Sequence, residues 1–124
     1  MTTKEKIMTT ADVAARFDAL AEEGKFDQIL DELYDENVKS IEPSHSPWKN
    51  VQGLDAVKRK GKEFNEMIEE MFGGYTNKSQ VAGNFFVCTM GMDVKMKGQA
   101  RMKLDEVALY EVKEGKIVME QFFF

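Results

Sequence analysis

The chain has 124 residues, 43% hydrophobic and 31% charged, proportions that exclude a mainly disordered protein and allow a single domain with an unstapled core. Seventeen Lys and Arg against 22 Asp and Glu give a formal charge of −5, which argues against a nucleic-acid partner, since such a partner calls for a basic surface. The single cysteine, Cys88, excludes an intramolecular disulfide framework, and no run has the apolarity of a signal core or a bilayer span, so a cytoplasmic protein without a membrane partner is expected.

The first third predicts helices. Thr9 and Asp12 make a Thr-x-x-Asp start signal, Val13, Phe17, Leu20 and Ala21 recur at three- and four-residue spacing, and Gly24 closes the segment. Phe26, Ile29, Leu30, Leu33 and Tyr34 predict a second, shorter amphipathic helix. Val38 to Glu42 reads as a brief strand that Pro43 ends, followed by a loop with Ser44, His45, Ser46, Pro47 and Trp48. Leu54, Val57, Gly61, Phe64, Ile68 and Met71 form one stripe, which predicts a third helix stopped by Gly73-Gly74.

From Phe86 the period changes to two. Phe86, Cys88, Met90, Met92, Val94 and Met96 alternate with Thr89, Gly91, Asp93 and Lys95, the pattern of a strand that buries one face. A turn at Lys97-Gly98 leads to a strand whose inward set is Ala100, Met102, Leu104, Glu106, Ala108, Tyr110 and Val112. Glu114-Gly115 makes a second hairpin turn, and Lys116 to Phe124 is the last strand. No internal repeat or linker divides residues 1–124, so one α+β domain is expected, with three helices on one face of a curved sheet.

Glu106 is the carboxylate set among Ala, Met, Leu, Tyr and Val on an inward strand face, where burial should raise its pKa; a carboxyl reaching water or a structural cation is the competing reading. Glu42 shares a face with Val38 and Ser40 at a strand end, a place from which a base can project into a cavity. His45, the one histidine, titrates near neutrality and is a candidate proton donor or acceptor, and Trp48 in the same loop can lid a cavity. Met90, Met92, Met96 and Met102 form a polarisable inward wall suited to a flat apolar ligand or to a loosely specified core. Cys88, mid-strand on the apolar face, reads as core. One histidine and scattered carboxylates give no metal-ligand spacing, and no nucleotide or nucleophile motif occurs. Lys58-Arg59-Lys60-Gly61-Lys62, balanced by Glu63, Glu66, Glu69 and Glu70, reads as a solvated, salt-bridged helix face.

Three segments, VAARFDALAEEGKFDQILDELYDENVKSIEP (Val13 to Pro43), VQGLDAV, and the closing DEVALYEVKEGKIVMEQFFF, resemble the nuclear transport factor 2-like superfamily, and within it the SnoaL-like polyketide-cyclase and ketosteroid-isomerase branch. The resemblance implies a cone in which a strongly bent mixed or antiparallel sheet wraps a long helix around an apolar cavity, often dimeric through the outer sheet face. It puts Glu42 at the isomerases' catalytic base. Phe17 stands where they keep a tyrosine donor, and their second acid falls near Val107 or Ala108, one or two positions from Glu106. The expected ligand wall is Phe17, Tyr34, Trp48, Phe86, Met90, Met102 and Tyr110. The expected function is acid–base chemistry of isomerase, cyclase or dehydratase type on a hydrophobic carbonyl compound, with no metal or cofactor. Its working groups would be Glu42, Glu106 and His45, with Tyr110 as a further donor, and the alternative is a binding or protein-interaction dimer of the same fold.

Overall fold

The computed structural model describes residues 7–124. Helix α1 spans Thr10–Glu22, and its start is the reciprocal box the sequence predicts: Asp12 N–H donates to Thr9 Oγ1 at 3.1 Å and Thr9 N–H to Asp12 Oδ2 at 3.0 Å. Gly24, at φ +71°, ends it in a Schellman turn, with Lys25 N–H bonded to the Leu20 carbonyl at 2.9 Å. Helix α2 spans Phe26–Leu33 and is tied to α1 by the Arg16 guanidinium, which donates to both Glu32 carboxylate oxygens at 2.5 and 2.9 Å. Tyr34, expected in this helix, opens strand β1 (Tyr34–Ile41) instead.

The remaining elements are β2 (Val51–Gln52), α3 (Leu54–Met67), β3 (Ile68–Thr76), β4 (Gln80–Ala82), β5 (Phe85–Met96), β6 (Met102–Lys113) and β7 (Lys116–Phe123). They form a seven-stranded sheet in the order β2-β1-β7-β6-β5-β3, with β4 also paired to β5. The pairing of β1 with β7 is parallel and the others are antiparallel, so the sheet is mixed. No helix among the described residues is long and apolar enough to cross a membrane.

The third helix is shorter than its stripe predicts. It stops at Met67, and residues 68–76, including Gly73-Gly74, pair with β5 as a strand. The reason lies in a bulge. Ile68 faces Met96 and Met71 faces Val94, so three residues of β3 span two of β5 and both apolar side chains share the inward face. That spacing imitates a helical repeat. Farther along β3, Tyr75 lies over Gly91, where an added Cβ would come within 2.5 Å of the tyrosine ring and 2.8 Å of the Leu104 carbonyl. Only glycine leaves room for that crossing.

The inward alternation of β5 holds, and that of β6 holds from Leu104 to Val112; Ala100, expected to start that face, is exposed and lies before the strand, which begins at Met102, itself 39% exposed. Phe86, Cys88, Ala108, Tyr110 and Val112 are buried against Val13, Ala14, Phe17 and Leu20 of α1. Burial of this apolar set contributes most of the folding free energy, at roughly 25 cal/mol per Å² removed from water.

Candidate functional site

The inward face of the sheet changes character along its length. At the end covered by α1, Phe17, Phe86 and Tyr110 pack ring on ring with centroids 4.8–5.3 Å apart, all at most 3% exposed. Cys88 is buried beside them, which pushes its thiol up to about 12 and keeps it protonated. On the adjoining strands β1, β7 and β6, with α3 packed on β1, the inward positions include polar side chains among the apolar ones.

Parallel pairing sets Ser40 of β1 directly opposite Glu120 of β7, and antiparallel pairing sets Glu120 opposite Tyr110 of β6. Glu120 is 5% exposed. Its Oε2 accepts from the Ser40 hydroxyl at 2.5 Å and its Oε1 from the Tyr34 hydroxyl. Burial raises the Glu120 pKa, opposed by the Ser40 and Tyr34 hydrogen bonds and by the Lys60 charge. The Lys60 ammonium, on α3, donates to Ser40 Oγ at 2.6 Å and stands 3.5 Å from both Glu42 Oε1 and the Lys49 carbonyl.

Glu42 follows β1 directly, and its backbone N–H is fixed by Asn50 Oδ1 at 2.7 Å. Its side chain keeps only 10% of its exposure, and Oε2 is buried with no hydrogen-bond partner. Desolvation raises its pKa; the Lys60 charge and hydrogen bond pull the other way, and the charge of Glu120 adds to the rise. Glu106, two inward positions from Tyr110 on β6 and opposite Met90 on β5, is pushed up to about 7, first by burial and then by the charges of Glu42 and Glu120. The carboxyls of Glu42, Glu106 and Glu120 therefore sense one another across one end of the sheet. Among the described residues, no three His, Cys, Asp or Glu side chains are arranged to hold a metal ion.

Other residues singled out in the sequence sit elsewhere. His45 is exposed, its ring 5.4 Å from that of Phe124, and Trp48 is half-buried with its ring 5.6 Å from Phe64 of α3, so both loop aromatics rest on the rim. Phe17, Tyr34, Phe86 and Tyr110 belong to the packed core, and Met90 is half-buried against it. Met102 is 39% exposed near the far end of β6. An open cleft of about 410 Å³ lies at the opposite end, between residues 7–10 and the β6–β7 turn, while one of about 320 Å³ runs along β1 and β2 past Asn50. The titratable groups favour the carboxyl end as the chemical site despite the larger cleft.

Two functional-site residues were missed in the sequence. Glu120 shares its parity with Val118 and Phe122, the same charge-on-an-apolar-face signal that marks Glu106. The sequence pattern places Lys60 in a solvated basic face. Lys58 behaves so, bridging the exposed Asp31 at 2.6 Å, but Lys60 shares a stripe with Val57 and Phe64 and turns inward, its side chain 12% exposed.

Solved structures of the same fold extend over nearly the whole chain. A candidate SnoaL-like polyketide cyclase (carbohydrate phosphatase) from Mesorhizobium loti is 30% identical with a TM-score of 0.88, covering 94% of this chain and 100% of its own. An NTF2-like protein of unknown function from Burkholderia pseudomallei matches at 18% identity and TM-score 0.72, covering 94% and 92%. A protein with a ketosteroid isomerase-like fold from Catenulispora acidiphila, in complex with trimethylamine, matches at 17% and 0.69, covering 99% and 87%. These likenesses establish the cone. Among curated proteins no sequence matches the chain. The family model described as the SnoaL-like domain matches residues 8–124, from the residue before the α1 cap to the last phenylalanine, and the protein therefore belongs to the SnoaL-like domain family.

Proposed function

We propose that the carboxyl end of the cone is an acid–base site that moves a proton on a hydrophobic carbonyl compound. The observation that carries this is Glu42: one carboxylate oxygen is held by Lys60, and the other is buried with no partner, free to take a proton from a carbon next to the carbonyl. Glu106, with a pKa near 7, is about half protonated at neutral pH, and its protonated form donates to the developing enolate oxygen. The C–H electron pair passes to the carbonyl oxygen as the proton reaches Glu42. Return of a proton to another carbon gives isomerisation; attack of the enol on a second carbonyl gives cyclisation. His45, on the exposed rim, and Tyr110, inside the aromatic stack, are less well placed as donors than Glu106.

The test is exchange of α-protons in D2O, followed by NMR, on a panel of cyclic diketones and hydroxyquinones. Wild type should exchange at least one of them, and Glu42→Gln should slow that exchange by about 100-fold or more while leaving fold and ligand affinity intact. Exchange by Glu42→Gln at the wild-type rate would refute the assignment.

One observation favours binding without turnover: Phe17, in the packed core, supplies no hydroxyl to an oxyanion. Tight binding of a panel member with no exchange would select that alternative. A homodimer through the outer sheet face belongs to the same proposal, supported by Phe85, Val107 and Phe123, which lie on that face and are 37–47% exposed. Sedimentation equilibrium at micromolar concentration should give twice the chain mass, and Phe123→Ser should lower it.

A further inference from the structure

A lysine ammonium is strongly hydrated, and its long stem ordinarily carries it to water. Lys60 departs from this. Its side chain is 12% exposed, while Lys58, two residues back and on the other side of the helix, bridges to an exposed carboxylate at the surface. Three protein oxygens take the place of water around the Lys60 ammonium: Ser40 Oγ at 2.6 Å, and Glu42 Oε1 and the Lys49 carbonyl at 3.5 Å each.

The contacts continue inward. Ser40 accepts from Lys60 and donates to Glu120 Oε2 at 2.5 Å, and the other Glu120 oxygen accepts from Tyr34. A continuous polar chain therefore runs from α3 across β1 to β7. It crosses the sheet at its one parallel pairing, where Ser40 faces Glu120.

We infer that Lys60 is the positioning residue that makes Glu42 the base: it holds Oε1, leaves Oε2 free for the substrate proton, and anchors that arrangement through Ser40 to the buried Glu120. This rests on the acid–base reading of the site. The ionisable groups facing one another here are Tyr34 and Glu42 from β1 and its end, Glu106 and Tyr110 from β6, Glu120 from β7 and Lys60 from α3. Among them the ammonium is one-sided. It favours the charged forms of Glu42 and Glu120, whereas Glu106 meets only burial and their two negative charges. The ammonium thus separates the Glu42 and Glu106 carboxyls into a base and an acid.

The experiment is a 13C NMR titration of the glutamate side-chain carboxyls in the free protein, assigned with Glu42→Gln, Glu106→Gln and Glu120→Gln. In Lys60→Met the Glu42 midpoint should rise by about one pH unit or more, and that of Glu106 should fall as the neighbouring charge is lost. Lys60→Arg should restore the wild-type order. An unmoved Glu42 midpoint in Lys60→Met would overturn the assignment. If Lys60→Met does not fold, Lys60→Gln, a neutral donor, takes its place with the same expected shifts. Failure of both to fold while Lys60→Arg folds would make Lys60 a structural cation and would also overturn it. No substrate enters the titration, so its outcome stands apart from the exchange test of Glu42→Gln.

Discussion

Tyr110 and Glu106 lie two inward positions apart on the same strand, yet one is stacked on Phe86 at 4.8 Å and the other is a carboxyl whose pKa reaches about 7. The two ends of the sheet face differ in what covers them. Helix α1 packs on β5 and β6 and supplies Phe17 and Leu20, which fill the space at apolar density. Helix α3 packs on β1 and brings Lys60, so the adjoining inward positions can be Ser40, Glu42 and Glu120. One end is held by shape and the other by a chain of donors and acceptors. The same alternation of strand residues serves both, and the covering helix decides which it becomes.

The largest break in this contrast should come from the packed end. Phe86→Ala removes a ring that is 1% exposed between two others, and about 4 kcal/mol of stability should be lost in urea unfolding. A loss under about 1 kcal/mol would mean that the aromatic cluster lines a ligand space and is not core.

Tyr34→Phe probes the boundary between the two ends. It leaves the ring packed but deprives buried Glu120 of a donor, so about 2 kcal/mol should be lost, as expected when a buried acceptor loses a hydrogen-bond partner. An unchanged unfolding midpoint would show that the Glu120 cluster is not a stabilising network.

Glu106→Gln should act with the opposite sign and only at higher pH. The folded protein binds the Glu106 proton more tightly than the unfolded chain does, so this contribution is complete below the ordinary glutamate range and is lost as pH rises through about 7. After discounting for partial exposure, the glutamine variant should be about 1 kcal/mol more stable than wild type at pH 8 and no more stable at pH 4. Paired thermal melts at the two pH values check this; equal differences at both would contradict it. Smallest of all, Met102→Ala should change stability by no more than about 0.5 kcal/mol, because that side chain lies 39% exposed beyond both regions.

Local signals in the sequence carried much of this architecture. The Thr9 and Asp12 box, the stop at Gly24, the alternation from Phe86 to Met96 and the turn at Glu114-Gly115 each act within a few residues, and the structure reproduces them. Strand β3 was hidden because its bulge puts Ile68 and Met71 on one face at a helix-like spacing. For the site, Glu106 and Glu42 stood out by position. Glu120 carries the same parity signal as Glu106, but its partners and those of Lys60 lie beyond any local pattern. Glu120 is buried by Tyr34 and Ser40, some 80 residues away in sequence, and Lys60 turns inward to an oxygen that another element supplies. Local pattern records which face a side chain takes, but its partners follow from the parallel pairing of β1 with β7, which joins segments 80 residues apart in sequence.

The central claim, that burial at one end of the cone keeps the Glu106 carboxyl able to hold and give a proton near neutrality, is tested most directly by its titration in the wild-type protein. Its 13C resonance, identified by its loss in Glu106→Gln, should shift with a midpoint near 7. A midpoint near the ordinary glutamate value of 4.5 would mean that the carboxyl is solvated and ionised at neutral pH, leaving the site without its acid.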